Sequence, residues 1–201
     1  MAEIIQDGTG KSYAAKVDVD GRLHVDSIGT DREAYSSQLG NSFNLNTGRI
    51  TLTNGATENG VMYVKNNENS PLVLTNFFYQ TGASTGGTGN IYVSIIRNPT
   101  TGTLISGATA GEINVNRNFG SSRTLDVTFY KGATGTTITD GAIALESILA
   151  TTTQRIAVSA GAITLPKGAS VGIKFTTPTS NTSMVVEFAI ACYLETEEGQ
   201  V

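Results

Sequence analysis

The stretch Met184-Val185-Val186-Glu187-Phe188-Ala189-Ile190-Ala191-Cys192-Tyr193-Leu194 decides the fold. Every second residue is apolar: Met184, Val186, Phe188, Ile190, Cys192 and Leu194 form one phase. Glu187, Tyr193 and Glu195 fall in the other. Side chains on a strand point alternately to opposite faces, so this pattern predicts a long strand with one face in a core. The same alternation recurs upstream. Val171, Ile173 and Phe175 alternate with Gly172, Lys174 and Thr176. Leu125, Val127 and Phe129 alternate with Asp126, Thr128 and Tyr130. Ile50 and Leu52, and Ile113 and Val115, do so over shorter spans. Residues 61–65 and 72–80 are apolar runs, the second carrying Phe77, Phe78 and Tyr79. Residues 91–96 are apolar almost throughout, as a strand covered on both faces would be. Residues 142–150 fit the periods of helix and strand equally.

Turn chemistry separates these runs: Asn54-Gly55, Asn59-Gly60, residues 82–89, Asn98-Pro99, residues 132–135, Asp140-Gly141 and Pro166-Lys167-Gly168. Residues 82–89 are Gly/Thr/Ser-rich and read as a flexible loop tip. Many short strands without helical spacers predict an all-β chain, an antiparallel β-sandwich of jelly-roll character.

The first part of the chain reads differently. Val17 and Val19 alternate with acids, Asp20-Gly21 suits a two-residue hairpin turn, and Leu23 and Val25 alternate back. An isolated hairpin is marginal in water and needs a surface to lie on. Residues 29–41 are polar and read as a linker. The expected organisation is an N-terminal hairpin arm and linker over residues 1–40 and a jelly-roll domain over residues 41–201. Tyr13, Val17, Val19, Leu23, Val25 and Ile28 are the expected attachment residues of the arm.

Composition narrows the function. The 201 residues are 39% hydrophobic and only 15% charged, with 23 glycines. The net charge of −4 gives no basic footprint for nucleic acid. A single cysteine rules out a disulfide within the chain. Residues 1–10 lack an apolar signal core, and no apolar run approaches the length of a membrane span, so synthesis in a cytoplasm is expected.

Candidate chemical motifs each have a simpler reading. Gly8-Thr9-Gly10-Lys11-Ser12 lacks the glycine that a phosphate-cradling loop requires, because Ile5 stands there. Asp18, Asp20 and Asp26 lack the ligand set and closing Glu of a calcium loop, and turn and hairpin positions account for them. His24, the only histidine, lies in the arm without a nucleophile and orienting acid beside it. Cys192 shares the core phase of its strand, so it reads as a small buried hydrophobe. One Cys and one His do not make a zinc site. Most of Glu58, Glu68, Glu112, Asp126, Asp140, Glu146 and Glu187 sit at turns or on outer phases, and none lies in a clear apolar strand face, which argues against a carboxylate pair of glycosidase type. Asn181-Thr182-Ser183 is a formal sequon but reads as a turn. Tyr79, Tyr92 and Tyr130 are candidate sugar-stacking rings, against ordinary cross-strand packing. No catalytic residue, cofactor or metal is expected.

Three stretches carry a resemblance. They are Gly8-Thr9-Gly10-Lys11 leading into Ala14-Ala15-Lys16-Val17 and Asp20-Gly21-Arg22-Leu23-His24-Val25; Asn116-Arg117-Asn118-Phe119-Gly120-Ser121-Ser122; and Leu165-Pro166-Lys167-Gly168-Ala169-Ser170-Val171. On these the chain resembles small virion structural proteins of tailed bacteriophages. The resemblance implies a non-enzymatic head-decoration, cement or fibre-like component, located in the virion. It implies as partners the major capsid protein or another virion protein; from charge and hydropathy, no nucleic acid or membrane partner is expected. Closed symmetry is the rule for oligomers, and a homotrimer is the expected state. The alternative is a receptor- or carbohydrate-binding module of a tail or fibre, which would place a host surface glycan among the partners. A glycan-cleaving enzyme is the third and weakest alternative.

Overall fold

The computed structural model describes residues 32–195, apart from residues 56, 108, 111–112 and 150–153. The arm residues Tyr13, Val17, Val19, Leu23, Val25 and Ile28 lie outside the described residues, as do His24, the three arm aspartates, Glu112 and the motif around Lys11.

The described chain is a β-sandwich. In order it forms α1 (Arg32–Gln38), β1 (Ser42–Leu52), β2 (Glu58–Asn66), β3 (Leu72–Thr81), β4 (Ile91–Arg97), α2 (Thr103–Gly107), β5 (Thr109–Ala110), β6 (Ile113–Asn116), β7 (Val127–Lys131), β8 (Ala142–Leu149), β9 (Gln154–Leu165), β10 (Ser170–Thr176) and β11 (Met184–Leu194). One sheet has five strands in the order β6-β1-β11-β3-β9, and the other has six in the order β5-β7-β2-β10-β4-β8. All named pairs are antiparallel.

The connectivity is nested. β1 pairs with β11, β2 with β10, β3 with β9 and β4 with β8. The chain is therefore one long antiparallel hairpin rolled so that successive strands alternate between the two sheets. That is the jelly-roll arrangement. Residues 98–141 sit at the tip of this hairpin, between β4 and β8. They add β6 to the edge of one sheet and β5 and β7 to the edge of the other.

The inner phases of both sheets make the core. Met184, Val186, Phe188, Ile190, Cys192 and Leu194 are all buried, as their spacing predicts. Phe188 on β11 meets Phe175 on β10 edge-on at 5.8 Å between ring centroids and Tyr79 on β3 at 6.1 Å, so the two sheets lock together near mid-strand. Burying a ring of this size contributes roughly 1.5–3 kcal/mol. In β1 the register shifts between Asn46 and Arg49. The buried Thr47 hydroxyl there accepts the Phe188 N–H at 3.0 Å and lies 2.8 Å from the Gly48 carbonyl, satisfying backbone that the bulge releases.

Four local expectations are revised or resolved. Asn59-Gly60 is not a turn. It lies within β2, where the register against β10 shifts. Asn59 is fully buried; its side-chain oxygen accepts the Gly135 N–H at 2.8 Å and its amide donates to Thr57 O at 3.0 Å. A buried amide with both ends occupied outweighs the local turn preference. Residues 82–89 are not a free tip: Thr85 bridges Ser183 and Thr88 bridges Thr179. Within the expected linker, Arg32–Gln38 is helical and tied to the sandwich, because Ser42 Oγ donates to Glu33 O at 3.2 Å and Arg117 pairs with the Glu33 carboxylate. Residues 142–149 are strand, because β4 pairs with them along their length.

Candidate functional site

Alternation assigns each strand two faces, and only one enters the core. The opposite phase of β11 carries Glu187, Ala189 and Ala191 on the outside of the five-stranded sheet. The register sets them in rows. Asn44 of β1 lies opposite Ala191, which lies opposite Asn76 of β3. The next row is Asn46, Ala189 and Phe78, and the third is Arg49, Glu187 and Gln80. Alanine on the central strand between longer neighbours leaves a furrow. Its volume is about 420 Å³, and Glu33 and Arg117 close one end.

The polar groups divide into held and free. Asn46 Nδ2 donates to Glu187 Oε1 at 2.9 Å, and Asn46 Oδ1 accepts the Gly48 N–H at 2.7 Å. Arg117 is neutralised by Glu33. Asn44 and Gln80 are exposed, and their side chains make no hydrogen bond among the described residues. Asn76 is held only through a long 3.4 Å contact with Thr75 Oγ1. Sequence reasoning passed over these amides. The signal was present as the second phase of β1 and β3, Asn44/Asn46 and Asn76/Phe78/Gln80, but alternation does not say whether an outer phase is covered.

The other outer face is built differently. Tyr63, Ile96, Leu104 and Ile138 form a second buried apolar cluster over the six-stranded sheet, with Ile105 and Tyr130 against it. Residues 98–141 supply its lid. Beyond it, β8 ends the six-stranded order and carries Ile143 and Ile148, each 63% exposed. Phe119 stands 92% exposed in the loop after β6.

The remaining candidates are dispersed. Tyr79 is buried, Tyr92 is exposed on β4, and Tyr130 stacks on Tyr63 at 6.0 Å, so the three rings do not converge on one platform. Burial pushes the Cys192 thiol up to about 12, and its sulfur lies 3.6 Å from Phe43 O. A group so protonated is no nucleophile. Asn181 is buried with its amide on Leu52 O at 3.1 Å, so the sequon is a structural turn. The described carboxylates have structural partners: Glu58 with Lys174 at 2.8 Å, Glu68 with the Asp126 N–H at 2.9 Å, Glu146 with Ser94 Oγ at 3.0 Å. Asp126 Oδ1 accepts from Asn67 Nδ2 at 3.3 Å. Asp140 accepts the Thr100 hydroxyl at 2.5 Å and the Thr100 and Thr101 N–H groups at 2.8 and 2.9 Å. Among the described residues, no group of three or more His, Cys, Asp or Glu is placed to hold a metal, and no helix is long and apolar enough to cross a membrane.

No protein-family model and no curated protein matches the chain. Among solved structures, the chain is similar to that of tomato aspermy virus, determined by X-ray crystallography, over 81% of this chain and 82% of that one, at 11% identity and a TM-score of 0.30.

Proposed function

We propose that this chain is a non-enzymatic structural protein of a bacteriophage particle, a capsid decoration or cement-type component. It assembles as a symmetric oligomer, a trimer, and attaches to the major capsid protein or another virion protein through its N-terminal arm. The observation that carries the reading is the end of the six-stranded sheet, where no described strand pairs with the outer side of β8. An edge strand offers unpaired backbone groups to any neighbour, and soluble proteins blunt such edges with charge, proline or cover. β8 instead presents Ile143 and Ile148, each 63% exposed. Large exposed apolar groups favour an interface. The jelly-roll architecture supports the same reading by analogy, because that fold recurs in capsid domains.

Two measurements test the proposal. Deleting residues 1–31 spares α1, which is tied to the sandwich, and so isolates the arm. The truncated chain should fold but fail to enter particles; undiminished incorporation would refute attachment by the arm. Sedimentation of the full chain should give a trimer that Ile143→Lys with Ile148→Lys dissociates. A wild-type monomer at micromolar concentration would refute assembly through β8.

A further inference from the structure

The furrow on the five-stranded sheet is unrelated to the β8 edge, and its chemistry is specific. We infer that it is a binding site for a neutral oligosaccharide, laid along β11 over Ala189 and Ala191.

Three features select this ligand class. The first is charge. Glu33 is paired with Arg117, and Glu187 is engaged by Asn46 and lies in register with Arg49 of β1. Arg117 is the one cation among the described residues that line the furrow, and Glu33 already pairs it, so an anionic ligand such as a phosphate ester or nucleic acid strand would meet the Glu187 carboxylate there without a free lining cation. The second is hydrogen-bonding capacity. Each amide side chain both donates and accepts, as each sugar hydroxyl does, and a carboxylate accepts from more than one hydroxyl. Asn44, Asn76 and Gln80 supply the amides, and the side chains of Asn44 and Gln80 have no hydrogen-bond partner among the described residues. The third is shape. Asn44 and Asn76 stand two strands apart, about 9–10 Å, with only the Ala191 methyl between them. Such a slot admits a flat ring with polar groups at both edges. Phe78 on its wall offers an apolar ring to the C–H face of a sugar, and its 420 Å³ falls within the roughly 300–1,000 Å³ of small-molecule sites. An apolar peptide finds only the Phe78 ring here, because the floor is alanine and the other outward groups are polar.

The test is titration of the isotope-labelled full chain with neutral di- and trisaccharides built on glucose, galactose and N-acetylglucosamine, followed by amide NMR. The inference expects saturable shifts of the side-chain amides of Asn44, Asn76 and Gln80 for at least one sugar. Asn44→Ala and Gln80→Ala, both at exposed positions, should each weaken binding about 3- to 10-fold, the equivalent of one hydrogen bond. Absence of saturable shifts at millimolar sugar would overturn it. So would an affinity left unchanged in the double variant, or tighter binding of a sulfated or uronic-acid oligosaccharide than of any neutral one. The measurement uses isolated protein, so its failure leaves the assembly reading untouched, and failed particle incorporation leaves this one untouched.

Discussion

The two outer faces of the sandwich contrast in a way their inner faces do not. Both inner phases are apolar and meet in one core. Outside, the six-stranded sheet presents Tyr63 and Ile96 and is roofed by Leu104 and Ile138, while the five-stranded sheet presents Asn44, Asn46, Asn76 and Gln80 around two alanines and has no such roof among the described residues. The roof is held by polar contacts at its rim. Gly60 N–H donates to Thr136 O at 2.7 Å, Thr101 and Thr139 hydroxyls meet at 2.8 Å, and Asp140 gathers the turn at Thr100 and Thr101. The lesson is that a second apolar phase requires a cover, and the chain supplies one as an insertion. A second phase of amides is already satisfied by water and can be left for a ligand.

The largest expected effect breaks the roof. Leu104→Ala removes a fully buried side chain from the outer cluster and should lower unfolding free energy by about 2–5 kcal/mol in urea denaturation. Gly132→Ala acts on the same roof from the backbone. Its Cβ would run into the carbonyl oxygen of Gly60 and into Thr136, so the insertion must shift. A loss of more than about 1 kcal/mol and increased binding of a hydrophobic dye are expected. A pH-confined effect follows from Asp140. The Thr100 hydroxyl, aided by the N–H groups of Thr101 and Thr100, lowers its carboxyl from 3.8 to about 2. A depressed carboxylate stabilises the fold fully above its unfolded value, and that contribution fades as pH falls through the folded one. The melting-temperature gap between wild type and Asp140→Asn should therefore be constant near neutrality and close between about pH 4 and pH 2. The smallest effect belongs to the open face: Asn44→Ala should change stability by less than about 0.5 kcal/mol, measured in the same urea series as Leu104→Ala. A cost comparable to Leu104→Ala would mean that the open face is structural after all.

Much of this was legible from residues alone. β11, β10 and β7 follow from strict alternation. β9 was not legible, because Ala157, Ala160, Gly161 and Ala162 carry little strand preference; pairing with β3 holds it in the sheet. Asn59-Gly60 carried a turn signal that a buried amide bonded to Gly135 overrode. The polar stretch before β1 turned helical where Glu33 found Arg117, far away in sequence. The furrow escaped notice because its residues are unremarkable singly. It exists through a register that aligns Asn44, Ala191 and Asn76 from three strands.

Residue order alone revealed the core phase of β11, β10 and β7 and the all-β class, because side-chain alternation is a local property of each strand. The tertiary structure alone decided what becomes of the other phase. Whether an outer face is roofed or open depends on where residues 98–141 fold back, and whether small and polar residues form a slot depends on how strands distant in the chain come into register.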